Sequence, residues 1–272
     1  MNDLPKTDPL TGKPLIQATP AATIIVAADQ PDGPPRLLMV ERSGKMAFAA
    51  GAVVFPGGRV DSGDYVLARR FLDRGPDSDI DEPLADMAGR IAAIRETIEE
   101  ARYPVAMKTM PADEAIEAIR AEASGDSHFD AVVDGYGLEL EPQSLTYFAR
   151  WRPPFNEKRV FDTRFYIARA TMPEAQAVVD DTENRTLFWA TAQEVLDRAE
   201  REEIKIIFPT RRNLEKLAQC ESYDALVAHV AVHPPELVTP FVEERGGEPH
   251  LCVPDGLGYP VTSEPIKAAM RG

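Results

Sequence analysis

Three glutamates and an arginine stand close together in the stretch IRETIEEA, as Arg95, Glu96, Glu99 and Glu100. Each residue of a helix advances by about 100°, so carboxylates spaced three and four residues apart share one face. Such neighbours repel each other by roughly 0.2–0.5 kcal/mol when they are exposed. Two interpretations follow: a solvated acidic face that tolerates this repulsion, or a site for a hard cation such as Mg²⁺, which prefers oxygen ligands.

The flanking sequence supplies a helix that can carry these carboxylates. Pro83 suits a first-turn position, and Pro104 ends the segment. An apolar stripe marks the buried side of an amphipathic helix. The glutamates are predicted to lie on the opposite face. This stripe consists of Leu84, Met87, Ile91, Ile94, Ile98 and Ala101.

A glycine-rich stretch, FPGGRVDSGD, lies upstream of this helix, and its Gly57 and Gly58 come directly after a predicted strand, AVVF. Paired glycines let a backbone turn sharply and approach another group closely. On its own, the stretch is explained equally well by an ordinary tight turn.

Together, the two stretches resemble the Nudix box, Gly-x5-Glu-x7-Arg-Glu-U-x-Glu-Glu-x-Gly-U, in which U is aliphatic. The matching residues are Gly58, Arg95, Glu96, Glu99 and Glu100, with Asp64 in the place of the first glutamate. The chain departs from the pattern at Thr97, Arg102 and Tyr103. The 30 residues between Asp64 and Arg95, numbered 65–94, exceed the expected seven by 23. A loop lengthens at small entropic cost, so the fold can accept an insertion here. The insertion precedes Arg95 and does not change which helix face carries the glutamates.

The segment before the box resembles the coenzyme A signature Leu-Leu-Thr-x-Arg-Ser/Ala-x3-Arg-x3-Gly-x3-Phe-Pro-Gly-Gly. The stretch LMVERSGKMAFAAGAVVFPGG aligns with it without gaps. Its matches are Leu38, Arg42, Ser43, Gly51, Phe55, Pro56, Gly57 and Gly58, and its departures are Met39, Val40 and Ala47. Over roughly residues 20–260 the chain is similar to a long-insert Nudix subgroup that resembles the peroxisomal coenzyme A diphosphatases.

The resemblance implies a cofactor and a catalytic set. Nudix enzymes cleave a nucleoside diphosphate that is linked to another group, so a small molecule of this class is the expected ligand. The implied cofactor is Mg²⁺ or Mn²⁺. The implied metal ligands are Glu96, Glu99, Glu100 and the Gly58 carbonyl, and Arg95 is expected to orient the glutamates.

The general base has several candidates. Glu99 is the first, and Asp181 or Glu183 would supply the base from a later loop. Asp64 would act either as a base or as a partner of the metal ligands. Substrate contacts are expected at Arg42, Phe55, Gly57 and Gly58, with Arg42 directed at a phosphate.

The implied fold class is α/β: a Nudix α/β/α sandwich around a mixed β sheet. A helical insertion is expected at residues 65–87, and further helices in the C-terminal third. Residues 1–18 are predicted to form an extended arm, and residues 19–272 a single domain. Predicted strands cover residues 22–28 and 36–43, which would form a hairpin, as well as 144–154, 161–170 and 186–191.

Composition restricts the possible partners and the compartment. A net charge of −15 repels nucleic-acid phosphates and anionic lipids at long range, so neither nucleic acid nor a membrane is expected as a partner. Cys220 and Cys252 form no CxxC pair, which argues against structural zinc and fits a reducing cytoplasm. The sequence contains no apolar signal region and no run of about 18 apolar residues. Dimerisation is common among Nudix relatives, so a homodimer is compatible with the sequence.

Three function hypotheses follow. The first is a Nudix diphosphatase for coenzyme A or an acyl-coenzyme A. The second keeps the enzyme but assigns it a nucleotide sugar, a dinucleoside polyphosphate or NADH, because Ala47 removes an arginine that would contact an anion. The third is a non-catalytic Nudix module that binds a nucleotide or a protein. The altered box motivates this third hypothesis, and the three retained glutamates argue against it.

Overall fold

The computed structural model describes residues 7, 14, 17–44, 49–125, 128–153, 160–179 and 184–269. The described strands are β1 Thr19–Ala28, β2 Arg36–Arg42, β3 Val53–Val54, β4 Gly57–Arg59, β5 Thr146–Trp151, β6 Phe161–Arg169, β7 Asn184–Thr191, β8 Leu237–Val238, β9 Phe241–Arg245, β10 Glu248–Cys252 and β11 Ser263–Pro265. The described α-helices are α1 Ser62–Phe71, α2 Glu82–Ala101, α3 Asp113–Ala123, α4 Phe129–Tyr136, α5 Ala192–Glu200, α6 Phe208–Leu217, α7 Tyr223–Val232 and α8 Ile266–Ala269.

A mixed sheet of eight strands forms the centre of the fold, in the order β3-β2-β1-β6-β5-β8, with β4 added to β1 and β7 added to β2. β1 runs parallel to β6 and antiparallel to β4, where Ala22 lies opposite Gly58. The predicted hairpin of β1 and β2 pairs only at its closed end, through residues 27–28 and 36–37. Beyond that point β4 pairs with β1 and β3 with β2. The turn that joins β3 to β4 therefore lies where the sheet divides.

Helices cover both faces of this sheet, as expected for an α/β/α sandwich. Side chains alternate along a strand, so Ile24 and Val26 of β1 enter one core, while Ile25 and Ala27 enter the other. The first core also takes side chains from α1, α2, α3 and α4, and the second from α5, α6 and α7. The predicted α/β fold class is thus confirmed. In the described part of the chain, no helix combines the length and apolar character needed to cross a bilayer.

Helix α2 is the element that carries the glutamates, and its ends follow from the sequence. The Asp81 side chain caps it by accepting from the Leu84 amide at 3.1 Å, and Pro83 lies in the first turn. Arg102 ends it in the left-handed conformation, with φ 51° and ψ 33°, at the position where the Nudix pattern has glycine. Five of the six residues of the predicted apolar stripe are at most 1% exposed, namely Leu84, Ile91, Ile94, Ile98 and Ala101, and Met87 is half-buried.

One predicted strand differs from the one observed. The strand expected at AVVF consists only of Val53–Val54, and the glycines that should end it begin the separate strand β4. β4 forms because the backbone of Gly57–Arg59 pairs with β1, a contact that local propensity does not report. Most of the expected N-terminal arm, residues 1–18, lies outside the described residues.

Candidate active site

The α2 face that carries the glutamates is buried, which corrects the prediction that this face lies opposite the protein interior. Glu96 and Glu100 are only 8% and 5% exposed. Both lie against the turn that begins β4: the Gly57 amide donates to Glu100 Oε2 at 2.9 Å, and a Cβ on Gly58 would stand 2.3 Å from Glu96 Oε1. Gly58 is thus needed for the turn to approach the Glu96 carboxylate, whereas a Cβ on Gly57 would stand 2.4 Å from the Ala22 carbonyl oxygen of β1.

Arg95 joins the carboxylates into one network from a position that is 5% exposed. Its Nη1 donates to Oε1 of Glu96 at 2.8 Å and to Oε1 of Glu99 at 3.1 Å. Its Nε and Nη2 donate to the two carboxylate oxygens of Asp64 at 3.2 and 3.0 Å. Nη2 also donates to the Arg59 carbonyl at 2.7 Å. Arg95 therefore fixes the orientation of two glutamates relative to β4.

Asp64 reaches Arg95 from the first turn of α1, a helix that continues into the insertion. The Asp64 side chain is fully buried and accepts from the Asp61 amide at 2.8 Å. This bond anchors the start of α1. The long insertion consequently leaves Asp64 and Arg95 in contact, although 31 positions separate them.

Burial dominates the electrostatics of the site. It raises the pKa of Glu96 well above its ordinary value, the charges of Glu100 and Glu99 raise it further, and Arg95 opposes the shift. Burial likewise raises the pKa of Glu99 against the influence of Arg95. Although burial disfavours the charge of Arg95, the carboxylates of Glu96 and Asp64 raise its pKa. For Glu96 and Glu99, burial thus outweighs the favourable charge of Arg95.

The donor set fits a hard divalent cation. Its four carboxylates, which belong to Asp64 and the three α2 glutamates, face the two guanidinium groups of Arg95 and Arg42. A divalent cation would balance the excess negative charge, and oxygen is the donor that Mg²⁺ prefers. The absence of a side chain at Gly58 leaves space beside Glu96 that a Cβ would fill. Among the described residues, however, no three acidic, histidine or cysteine side chains already converge as a ligand set.

Comparisons with known proteins show which proteins this chain is similar to. No family model matches the sequence. A curated relative, the acyl-coenzyme A diphosphatase NUDT19 of Gallus gallus, is 24% identical over 262 residues and covers 76% of this chain and 69% of its own length. The solved structure of a NUDIX hydrolase from Alicyclobacillus acidocaldarius is 26% identical, with a TM-score of 0.65, and covers 78% of this chain and 96% of its own.

The chain is similar to Nudix hydrolases in sequence and in fold. The structural likeness extends over nearly the whole solved hydrolase, so the two proteins share a fold. In this Nudix-like fold, Asp64, Glu96 and Glu99 meet around Arg95, and Glu100 lies beside them against the Gly57 amide.

The remaining predicted site residues lie in different parts of the fold. Arg42 ends β2 with Nη1 4.0 Å from Glu100 Oε1, so it adjoins the carboxylates. Phe55 does not line the site: it is 2% exposed and packs into the second core, on the sheet face away from α2. The signature match there therefore reflects packing. Asp181, Glu183 and Ala47 lie outside the described residues.

Sequence reasoning missed two contributors to the network. The first is the Arg59 carbonyl, which accepts from Arg95 and has no signal in the sequence because it is a backbone group. The second is Arg120 of α3, whose Nε donates to the Glu99 carbonyl at 3.0 Å. Arg120 lies at helical spacing from Ile116 and Ala123 on the buried face of α3. An arginine within an apolar stripe is a signal that could have identified it.

Proposed function

We propose that this Nudix hydrolase is a metal-dependent diphosphatase whose substrate is coenzyme A or an acyl-coenzyme A. The observation that carries the proposal is the set of α2 carboxylates held by Arg95 against the Gly57–Gly58 turn. The gapless coenzyme A signature between Leu38 and Gly58 supports the substrate class. The similarity to an acyl-coenzyme A diphosphatase supports it as well.

Mg²⁺ or Mn²⁺ would be held by Glu96, Glu99, Glu100 and the Gly58 carbonyl. When bound, the ion supplies positive charge that offsets the charge of the diphosphate. The part of Arg95 is to keep Glu96 and Glu99 in fixed orientations before substrate arrives, because preorganised groups need little rearrangement in the transition state. Asp64 supports this by binding the other edge of the Arg95 guanidinium.

In the proposed hydrolysis, a water oxygen attacks one phosphorus of the diphosphate. The bond from that phosphorus to the bridging oxygen breaks, and two phosphate monoesters result. Glu99 is the proposed base that accepts the proton of the water. Arg42 is proposed to bind a phosphate oxygen from the end of β2, next to Glu100. Asp181 and Glu183, which precede β7 in the sequence, remain the alternative bases.

The decisive experiment measures hydrolysis of coenzyme A and an acyl-coenzyme A by the full chain with Mg²⁺ or Mn²⁺. Glu100→Gln should lower kcat by at least about 100-fold, because it removes a charged ligand while keeping the side-chain volume. Glu244→Gln, an exposed change on β9, is the matched control and should act like wild type. Equal rates for wild type and Glu100→Gln would contradict the assigned role. A wild-type protein that hydrolyses neither compound would contradict the proposed substrate.

A second substrate class is favoured by one observation in the sequence. Ala47 stands where the coenzyme A signature has its second arginine, so one anion contact of that signature is lost. A panel of nucleotide sugars, dinucleoside polyphosphates and NADH tests this alternative, and a clear preference for one of them over coenzyme A would establish it. Calorimetry with Mn²⁺ addresses the non-catalytic module, which predicts no metal binding with or without nucleotide.

A further inference from the structure

The last turn of α2 ends inside the protein, so its carbonyl groups need partners. A helix leaves its final four carbonyls without an intrahelical donor. Two of these are satisfied by backbone amides: Arg102 donates to Ile98 at 3.0 Å, and Val178 donates to Ala101 at 2.9 Å. The carbonyl of Glu99 is instead satisfied by a side chain, through Nε of Arg120 at 3.0 Å. A residue of α3 thus caps the turn that bears two of the glutamates.

This turn is also electrostatically unfavourable. Partial negative charge accumulates at a helix C-terminus, and here Glu99 and Glu100 add two carboxylates while the last turn contains no basic residue. Arg120 brings a guanidinium to this end, and only 9% of the residue is exposed. The ion pair of Arg120 with Glu117 is longer, at 3.9 Å, than the 3.0 Å bond of Arg120 to the Glu99 carbonyl. The closest described interaction of Arg120 is therefore with the backbone of α2.

We propose that Arg120 is a positioning residue that sets the backbone of Glu99 and thereby the directions of the Glu99 and Glu100 carboxylates. Glu99 meets Arg95 at 3.1 Å and Glu100 meets the Gly57 amide at 2.9 Å, so both contacts depend on the placement of one turn. Outer partners of this kind typically change metal affinity or activity by about 10- to 100-fold when they are lost. The consequence for catalysis rests on the proposed function, whereas the effect on the turn does not.

The test compares Arg120→Lys and Arg120→Gln with the wild-type chain. Arg90→Lys is the matched control, since Arg90 also donates to backbone carbonyls, those of Leu145 and Pro142, but from the first half of α2. Hydrogen exchange of the metal-free proteins should be about tenfold faster over residues 98–103 in both Arg120 variants. It should be unchanged there in Arg90→Lys.

Mn²⁺ titration and steady-state kinetics complete the test. The Arg120 variants should bind Mn²⁺ about 10-fold more weakly, with a lower kcat and little change in KM. Lysine should lie between glutamine and wild type, because it keeps the charge but not the Nε position. Wild-type exchange over residues 98–103 in the Arg120 variants would overturn the inference. A wild-type protein that binds Mn²⁺ but hydrolyses no nucleoside diphosphate derivative would instead refute the proposed function and leave Arg120 as a positioning residue for the metal site.

Discussion

Gly58→Ala is the substitution that most directly tests the packing of the β4 turn on α2. A Cβ at this position would lie 2.3, 2.6 and 2.7 Å from Oε1, Cδ and Oε2 of Glu96. Carbon and oxygen in contact are normally about 3.3 Å or more apart, so the carboxylate has to retreat by roughly 1 Å. The obstacle is the end of a side chain, so the fold should survive, but Arg95 holds this carboxylate at 2.8 Å and its bond would weaken.

The expected cost follows from these distances. A hydrogen bond between charged groups contributes about 1.5–3 kcal/mol, so the free energy of unfolding should fall by at most that amount. A displacement of about 1 Å in a catalytic group can lower the rate by about 100-fold, so kcat should fall by that order. Mn²⁺ affinity should fall with it, since Glu96 is a proposed ligand. Activity should thus be lost far more strongly than stability.

The assay combines hydrolysis of the preferred substrate, Mn²⁺ titration by calorimetry and urea denaturation. Gly75→Ala is the matched control, because a Cβ on Gly75 meets nothing within 4 Å, and it should behave like wild type in all three measurements. A Gly58→Ala protein with wild-type kcat and Mn²⁺ affinity would refute the reasoning, since it would show that the Glu96 carboxylate need not lie beside this turn.

Two further predictions concern stability. Arg102→Gly should change the free energy of unfolding by less than about 1 kcal/mol in urea denaturation. Relief of a left-handed residue stabilises by about 1–2 kcal/mol, while two ion pairs to the exposed carboxylates of Asp113 and Glu117 are lost at up to about 1 kcal/mol each. A loss above 2 kcal/mol would show that the Arg102 side chain anchors α3. Burial lowers the pKa of Lys216 to about 8 from 10.5, so the folded state binds this proton less tightly than the unfolded state does. The contribution of this group to the free energy of unfolding therefore rises as the pH rises from 8 to 10.5. Lys216→Met should therefore be more stable than wild type by about 1–3 kcal/mol at pH 7. In urea denaturation measured at several pH values, this difference should shrink towards pH 10.5. Equal stability of the two proteins at pH 7 would contradict the prediction.

Much of the site could be predicted from local sequence. The position of α2 follows from its apolar period and from Pro83, and the grouping of Arg95 with the glutamates follows from their spacing alone. The close approach at Gly57 and Gly58 was expected from the residue type. In contrast, the sequence did not predict which side of the sheet Phe55 faces, because AVVF is buried on both faces and shows no alternation of apolar and polar residues. Arg120 was missed because its partner is a backbone carbonyl of another helix.

What the sequence by itself determined is the set of chemical groups and their order along one helix face, because the period of a helix is a property of consecutive residues. Only the tertiary structure decided that this face is buried. Periodicity identified the stripe that packs on the sheet, and it could not reveal a second buried surface on the same helix. That surface is supplied by the β4 turn, by Asp64 from the first turn of α1 and by Arg120 from α3. These partners are 43, 31 and 21 positions away from the residues they contact, and separations of that length are set by how the chain folds rather than by local pattern.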